Sequence, residues 1–280
     1  MPMASAAADA DPIIAIGVAL LNVTLIQTIG YMMKSYDKVN AEVLSGIGAF
    51  GGLVSLPCLL FKSVATLDFT TVPLELVCAV TVGKLGLIAI CGALGYIKTK
   101  SEDREKGGVE LSAGMFALMT TNSDDLGLGL PVMGAIFPPN IVKFCFVLGA
   151  MQTGVFNPLI FIILGIGKSK RDKPDDGSAA ASTGAIVRTV LRGLLSNFII
   201  LAILSGLAYN LIFGLGRGAA LPGFLLNLTT TLGSAFGPIV LFMAGAANVG
   251  SFGQLAVLDS ALLPLLTVLL KSIVLPTCAM

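Results

Sequence analysis

Apolar residues run almost continuously along the chain, in stretches long enough to cross a membrane as helices. Eight such segments are separated by short polar or Pro- and Gly-containing connections: 12–33, 43–66, 72–97, 110–137, 140–166, 185–213, 222–249 and 255–280. Unbroken apolar runs are typical of membrane-spanning helices, whereas the strands of a membrane barrel alternate apolar and polar residues. The pattern therefore predicts an all-α, multi-pass membrane protein that follows a tail over residues 1–11.

Composition supports a membrane protein and argues against several other classes. The 280 residues are 55% hydrophobic and 12% charged, whereas soluble domains are about 25% charged. Histidine is absent and the five cysteines are scattered singly through apolar runs, so we expect neither a metal centre nor disulfides. With no basic block, nucleophile–base pair or phosphate loop in view, we expect no nucleic-acid partner, no cofactor and no enzyme activity.

Positive charge is concentrated in alternate connections. The first, third and fifth connections and the start of the sixth span carry these cations: Lys34, Lys38, Lys98, Lys100, Arg104, Lys106, Lys168, Lys170, Arg171, Lys173, Arg188 and Arg192. The even-numbered connections carry little beyond Lys62, Lys143 and Arg217. Because short cytosolic loops are enriched in Lys and Arg, the odd connections are predicted to be cytosolic and the N-terminus non-cytosolic.

Residues 120–131 combine two adjacent carboxylates with residues that break a helix. Asp124 and Asp125 stand in the middle of the fourth predicted span, and Gly129 and Pro131 follow them. An ionisable residue at membrane depth is a functional-site candidate by default, and a proline deprives the preceding turn of a hydrogen bond. A helix interrupted beside polar groups in mid-membrane is typical of transporter binding sites.

The paired acids suit the coupling of a proton or the binding of a cation. Close carboxylates repel one another and burial disfavours their charged forms, so one of them is expected to hold a proton near neutral pH. The alternative is a purely structural helix break, with the acids near water at a mouth. The candidate solute- or ion-binding residues of this segment are Asn122, Asp124, Asp125, Gly129 and Pro131.

Two lysines lie near the middle of apolar spans. Lys84 belongs to the third span and Lys271 to the eighth, and both are too deep for their ammonium groups to reach the interface easily. Either lysine can bind an anionic solute, or Lys84 can neutralise one of the paired acids as a structural ion pair. Both interpretations predict that Lys84 lies near the fourth span.

The first span contains a loose sterol-recognition pattern. Leu25, Tyr31 and Lys34 follow the expected spacing, and Asn22 is a polar residue of the same span. The plainer interpretation makes Tyr31 an interfacial anchor beside a lysine that reaches the headgroups. We keep Tyr31 and Asn22 as candidate sterol residues.

Short matches between the two halves suggest an internal repeat. Residues 50–54 resemble residues 236–240, and Lys84 corresponds to Lys271 at nearly the same spacing. Five spans lie between equivalent positions, so the second copy would be inverted, an architecture common in secondary transporters. Chance similarity between apolar stretches is the alternative.

The repeat predicts the organisation of the chain. A first five-span repeat covers 12–166, a cytosolic linker covers 167–184, and an incomplete second repeat covers 185–280 with spans six to eight. A second repeat of five spans needs two further spans. We therefore expect a truncated sequence, a fragment, or a fold completed by another chain.

The broken segment resembles the crossover segment of the auxin efflux carrier family, in particular a cholesterol-signalling branch of it. Residues 123–131, Ser-Asp-Asp-Leu-Gly-Leu-Gly-Leu-Pro, match Ser-Asn-Asp-Phe-Ala-Leu-Gly-Tyr-Pro in that branch. Similar segments follow in the same order along nearly the whole chain: 30–31, 56–62, Lys84, 157–161 and 271–276. Two positions depart from the pattern: Asp124 replaces an Asn, and Asn22 stands where the branch carries an acidic residue.

The resemblance implies a fold, an assembly and two alternative functions. It implies inverted five-span repeats of the auxin efflux carrier and bile acid symporter type, with the second repeat truncated here, and a homodimer. The leading hypothesis is transport of a small organic solute, such as an auxin-like anion, by alternating access at the helix crossover. The alternative is a sterol-sensing membrane signalling protein with a transporter-like body. Either would reside in a lysosomal, vacuolar or other endomembrane, or in the plasma membrane.

Overall fold

The computed structural model describes residues 12–123, 125–171 and 183–250, and this part of the chain is helical. Its helices are α1 Pro12–Ser35, α2 Ala41–Phe50, α3 Leu56–Ala65, α4 Leu74–Lys98, α5 Ser101–Arg104, α6 Gly108–Thr121, α7 Leu130–Ile136, α8 Pro139–Val142, α9 Phe144–Met151, α10 Asn157–Arg171, α11 Thr183–Leu195, α12 Phe198–Gly214, α13 Gly223–Ser234 and α14 Phe236–Ala247. Extended pairing within the described residues is limited to an isolated bridge between Asp68 and Arg217.

Five helical segments of the described chain are long and apolar enough to cross a membrane. They are Ile13–Ser35, Ala41–Ala65, Leu74–Lys98, Pro139–Arg171 and Gly223–Ala247. These segments coincide with predicted spans one, two, three, five and seven. The prediction of an all-helical integral membrane protein is therefore confirmed.

The fourth and sixth predicted spans are interrupted. In the fourth, α6 ends at Thr121 and helical structure resumes with a wide π turn over Asp125–Gly129, so the expected break begins well before Pro131. In the sixth, α11 and α12 replace the predicted single helix, and they count as one span only if taken as a bent pair. The side chain of Asn197 accepts a 2.9 Å hydrogen bond from the N–H of Ile199, the second residue of α12. The predicted eighth span, 255–280, lies outside the described residues.

In the described part of the chain, wide π turns interrupt three of the spans, each two residues before a proline. They are Gly51–Ser55 before Pro57, Asp125–Gly129 before Pro131, and Gln152–Phe156 before Pro158. A proline cannot donate to the carbonyl four residues back and its ring crowds that carbonyl. In the third turn the N–H of Asn157 donates instead to the carbonyl of Gln152, five residues back. Proline placement thus determines where these spans widen.

The helices pack into two compact units. Of the described residues, the first unit holds 12–70, 125–150 and 201–250, and the second holds 71–123, 151–171 and 183–200. Each unit therefore draws on both halves of the chain, and the division into repeats stays a prediction. Helix α10 continues to Arg171, so the first residues of the predicted 167–184 linker are helical, while residues 172–182 lie outside the described chain.

Glycines bring α1 and α14 of the first unit into backbone contact. A methyl group at Gly30 would collide with the carbonyl oxygen of Phe242, and one at Gly245 would collide with the carbonyl oxygen of Gln27. Small residues permit this close approach between membrane helices, where packing replaces the hydrophobic effect as the driving force. The crossing therefore fixes the register of the two helices.

The connection after α3 in the first unit is held by polar contacts. Asn210 of α12 is fully buried and bonds the backbone at Val64, Leu67 and Gly218. In the same connection, the hydrogen bond from the Thr70 hydroxyl lowers the pKa of the Asp68 carboxyl. Side chains rather than regular structure therefore stabilise this turn.

In the second unit, α6 packs against both α4 and α10. Cys91, Ala117 and Ile160, one from each helix, form its buried core. Gly95 of α4 lies against Ala113 of α6, and Gly114 of α6 lies against Leu164 of α10. This three-helix packing positions the middle of α4 beside the end of α6.

Candidate functional site

Lys84, near the middle of the spanning helix α4, is a buried cation of the second unit. Its side chain is 3% exposed. The ammonium Nζ donates to the Gln152 Oε1 at 2.5 Å and to the Ser123 Oγ at 3.3 Å. It also lies 5.3 Å from the ring centroid of Phe156, close enough for a cation–π contact. Neutral polar and aromatic groups are thus among the contacts of this buried charge.

The wide turn of the fifth span supplies the facing side of this site. Gln152, itself 3% exposed, donates from Nε2 to the Oδ1 of Asn157 at 2.8 Å. Residues five apart point to different faces of a regular α-helix, at about 100° per residue. The π turn has more residues per turn and brings these two amides to one face. A chain of polar groups therefore runs from Lys84 through Gln152 to Asn157.

The end of α6 supplies hydroxyl groups near the same level. Thr120 and Thr121 are buried, and their hydroxyls donate to the carbonyls of Phe116 and Ala117 at 2.7 and 2.8 Å. Ser123 follows the helix and accepts from Lys84. The expected proximity of Lys84 to the fourth span is thereby observed at Ser123.

The remaining predicted residues of the broken span are placed as follows. Asn122 is exposed and directly follows the last residue of α6, and its N–H donates to the carbonyl of Leu118 at 3.3 Å. In the first unit, half-buried Asp125 begins the wide turn, Gly129 ends it, and Pro131 lies in the first turn of α7. Asp124 and Lys271 lie outside the described residues, so their roles stay predictions.

Gln152 is the main site residue that sequence reasoning missed. It stands in an apolar run, five residues before an Asn-Pro pair that was interpreted only as a kink. Two amides at that spacing just before a proline indicate a candidate polar site, because the proline favours a wide turn that places them together. Phe156 carries no such signal, since an aromatic residue in a membrane span is ordinary.

A small cavity in the first unit contains the predicted sterol residue Tyr31. Its volume is about 200 Å³, and its lining residues are Thr24, Gln27, Thr28, Tyr31, Gly245 and Asn248. The close crossing of α1 and α14 forms its wall at Gly245. Asn22, the other predicted sterol residue, is exposed and does not line the cavity.

Comparison with known proteins finds a distant relative that aligns with most of the chain. No family model matches the chain. Over 261 residues it is 28% identical to the lysosomal cholesterol signaling protein of Mus musculus, an alignment that covers 92% of this chain and 28% of that protein. The resemblance to a cholesterol-signalling protein is thus confirmed, while no match supports the wider auxin efflux carrier family. The chain is a helical membrane protein distantly similar to about a quarter of a lysosomal cholesterol signaling protein.

Proposed function

We propose that the protein is a transmembrane transporter of small organic anions, with Lys84 binding the anionic end of the solute. The observation that carries this proposal is a cation buried at mid-membrane beside an interrupted span. Ionisable groups at such depth mark substrate or ion pathways in most membrane proteins that contain them. An auxin-like weak acid carries the negative charge that a buried cation favours.

The neighbours of Lys84 also support solute binding, because they add hydrogen-bonding groups to its charge. Gln152 and Asn157 offer amide donors and acceptors, and Ser123 offers a hydroxyl. These groups lie where helices are irregular, at the end of α6 and in the wide turn Gln152–Phe156. Irregular turns in spanning helices are frequent at functional sites and allow the helices to bend during alternating access.

Flux into proteoliposomes tests the proposal. We expect Lys84→Gln to lower uptake of radiolabelled indole-3-acetate or benzoate by tenfold or more, because charge-assisted hydrogen bonds are worth about 1.5–3 kcal/mol. Lys62→Gln is the matched control, since Lys62 bonds only the Thr230 hydroxyl among the described residues and belongs to the other unit. No uptake of any carboxylate by the unmodified chain, or equal losses in both variants, would contradict transport at Lys84.

Sterol recognition at the Tyr31 cavity is a second candidate function. It is favoured by the cavity itself and by the name of the distant relative. At about 200 Å³ the cavity is smaller than the roughly 300–1,000 Å³ of typical ligand pockets, so it would receive the hydroxyl end of a sterol while the rings lie against the helices.

Photolabelling separates this candidate from transport. We expect Tyr31→Ala to reduce cholesterol-competable labelling by a photoreactive cholesterol analogue about tenfold, because the aromatic wall and the phenol hydroxyl are both lost. Tyr36→Ala, at an exposed position just beyond α1, is the control and should retain labelling. Labelling that survives in Tyr31→Ala would eliminate this site, whatever the flux experiment shows.

A further inference from the structure

A basic cavity lies at the end of the second unit where α4, α5, α6 and α10 meet. Its volume is about 670 Å³, and its charged lining residues are Lys98, Lys100, Lys106, Arg171 and Asp103. Four cations thus face one carboxylate. Among the described residues, none of the four cations forms an ion pair with a carboxylate. The cavity therefore has an excess of positive charge that a ligand of opposite charge can neutralise.

Two neighbouring cations, Arg104 and Lys170, make other contacts and do not line the cavity. Arg104 lies over the ring of Tyr96 at 4.0 Å and donates to the carbonyl of Thr99 at 3.2 Å. Lys170 pairs with Glu110, which ties α10 to α6. These charged groups lie outside the lining, so the charge of the described lining is that of its four cations and one carboxylate.

The backbone around the cavity is closely packed and adds to the positive potential. Gly107 has a left-handed φ of 77°, and a side chain there would collide with the carbonyl of Gly167 on α10. Gly108, which lines the cavity, begins α6. The first N–H groups of a helix carry partial positive charge and favour anions. The wall is therefore suited to an anion with several acceptor oxygens.

The position of the cavity along the spans indicates the source of that anion. Lys98 ends the spanning helix α4, and Arg171 ends the spanning segment Pro139–Arg171. Both cations thus stand at the ends of segments long enough to span a membrane, and the distribution of Lys and Arg predicts that these ends are cytosolic. Anionic lipids are concentrated in cytosolic leaflets, and basic pockets between spanning helices bind their headgroups.

We propose that this cavity binds the phosphorylated headgroup of an anionic membrane lipid of the phosphoinositide class. The site is separate from Lys84 and does not depend on the proposed transport. The lysines and the arginine bind the ring phosphates, the start of α6 contributes N–H donors, and the acyl chains remain in the bilayer beside α4. A soluble inositol phosphate shares the same phosphate chemistry and is distinguished by experiment.

The test uses the purified full chain in detergent and native mass spectrometry. The probes are short-chain phosphatidylinositol 4,5-bisphosphate, short-chain phosphatidylcholine and inositol trisphosphate. We expect Lys100→Gln/Lys106→Gln to weaken the bisphosphate lipid about 30-fold, since each lysine near an anionic headgroup contributes about 1 kcal/mol. Lys34→Gln/Lys38→Gln removes the same charge from another predicted cytosolic connection and should change binding less than about twofold.

Two further comparisons keep the proposal falsifiable. Asp103→Asn removes the only carboxylate among the described lining residues and should strengthen binding of the bisphosphate lipid about fivefold, independently of whether the double variant folds. Inositol trisphosphate binding as tightly as the lipid would overturn the lipid assignment. Equal loss in the two double variants, or equal binding of phosphatidylcholine, would overturn the cavity as a phosphate site.

Discussion

Replacing Asn210 by leucine is expected to lower the free energy of unfolding by about 4 kcal/mol, because one side chain satisfies three backbone groups. Asn210 is 0% exposed. Its Nδ2 donates to the carbonyls of Val64 and Leu67 at 2.8 and 2.7 Å, and its Oδ1 accepts from the N–H of Gly218 at 3.3 Å. Leucine has a similar volume but leaves all three groups without this partner. The Val64 carbonyl keeps a 3.4 Å bond from the N–H of Leu67, and each buried group left unpaired costs about 1–3 kcal/mol.

Thermal unfolding in detergent measures this loss. Helical circular dichroism should show a midpoint lowered by roughly 10 °C. A thiol-reactive dye should reach buried Cys145 at a correspondingly lower temperature. Asn227→Leu is the matched control, because Asn227 is exposed on α13 and should leave the midpoint nearly unchanged. Similar shifts in the two variants would show that the buried hydrogen bonds of Asn210 contribute little.

Hydropathy alone predicted most of the spans because lipid demands long apolar helices with internally satisfied backbones. The same reasoning located the break in the fourth span, since Asp125 and Pro131 both disfavour an uninterrupted helix there. The sixth span was predicted as one helix and is two. Its first half carries Arg188 and Arg192. At the break the side chain of Asn197 accepts from the N–H of Ile199, a contact that hydropathy does not predict.

Contacts between distant segments were beyond the reach of pattern reasoning. Lys84 was identified by its depth, but its partner Gln152 follows from how α4, α6 and α10 pack. The cations Lys98 and Arg171 were used only to orient the chain, and their convergence in one cavity depends on the contact between α6 and α10. Asn210 stands in an apolar span with no local signal for what it bonds. Tertiary packing, rather than local periodicity, decides each of these cases.

Gln152→Glu is expected to abolish anion flux while leaving the fold intact. A glutamate carboxylate can accept from the Lys84 Nζ as the amide oxygen does now, at 2.5 Å. Asn157 can turn its amide to donate where Oδ1 at present accepts from Gln152. The hydrogen bonds are therefore kept, but the added negative charge beside Lys84 repels an anionic solute. We expect uptake to fall by more than about 100-fold. The solute loses its charge-assisted hydrogen bond to Lys84, and the new carboxylate repels the anionic group of the solute.

The same variant separates a solute-binding lysine from a structural one. A structural Lys84 gains a closer counter-charge from Gln152→Glu, so a stabilised protein with normal uptake would contradict the proposed role. Gln27→Glu introduces the same change in α1 of the other unit and should leave uptake within about twofold of the unmodified chain. Unfolding midpoints measured on the same preparations distinguish lost binding from lost structure. Loss of uptake at an unchanged or raised midpoint is the result expected of an anion-binding Lys84, because the substitution keeps the hydrogen bond between residues 84 and 152 and adds a negative charge beside the cation.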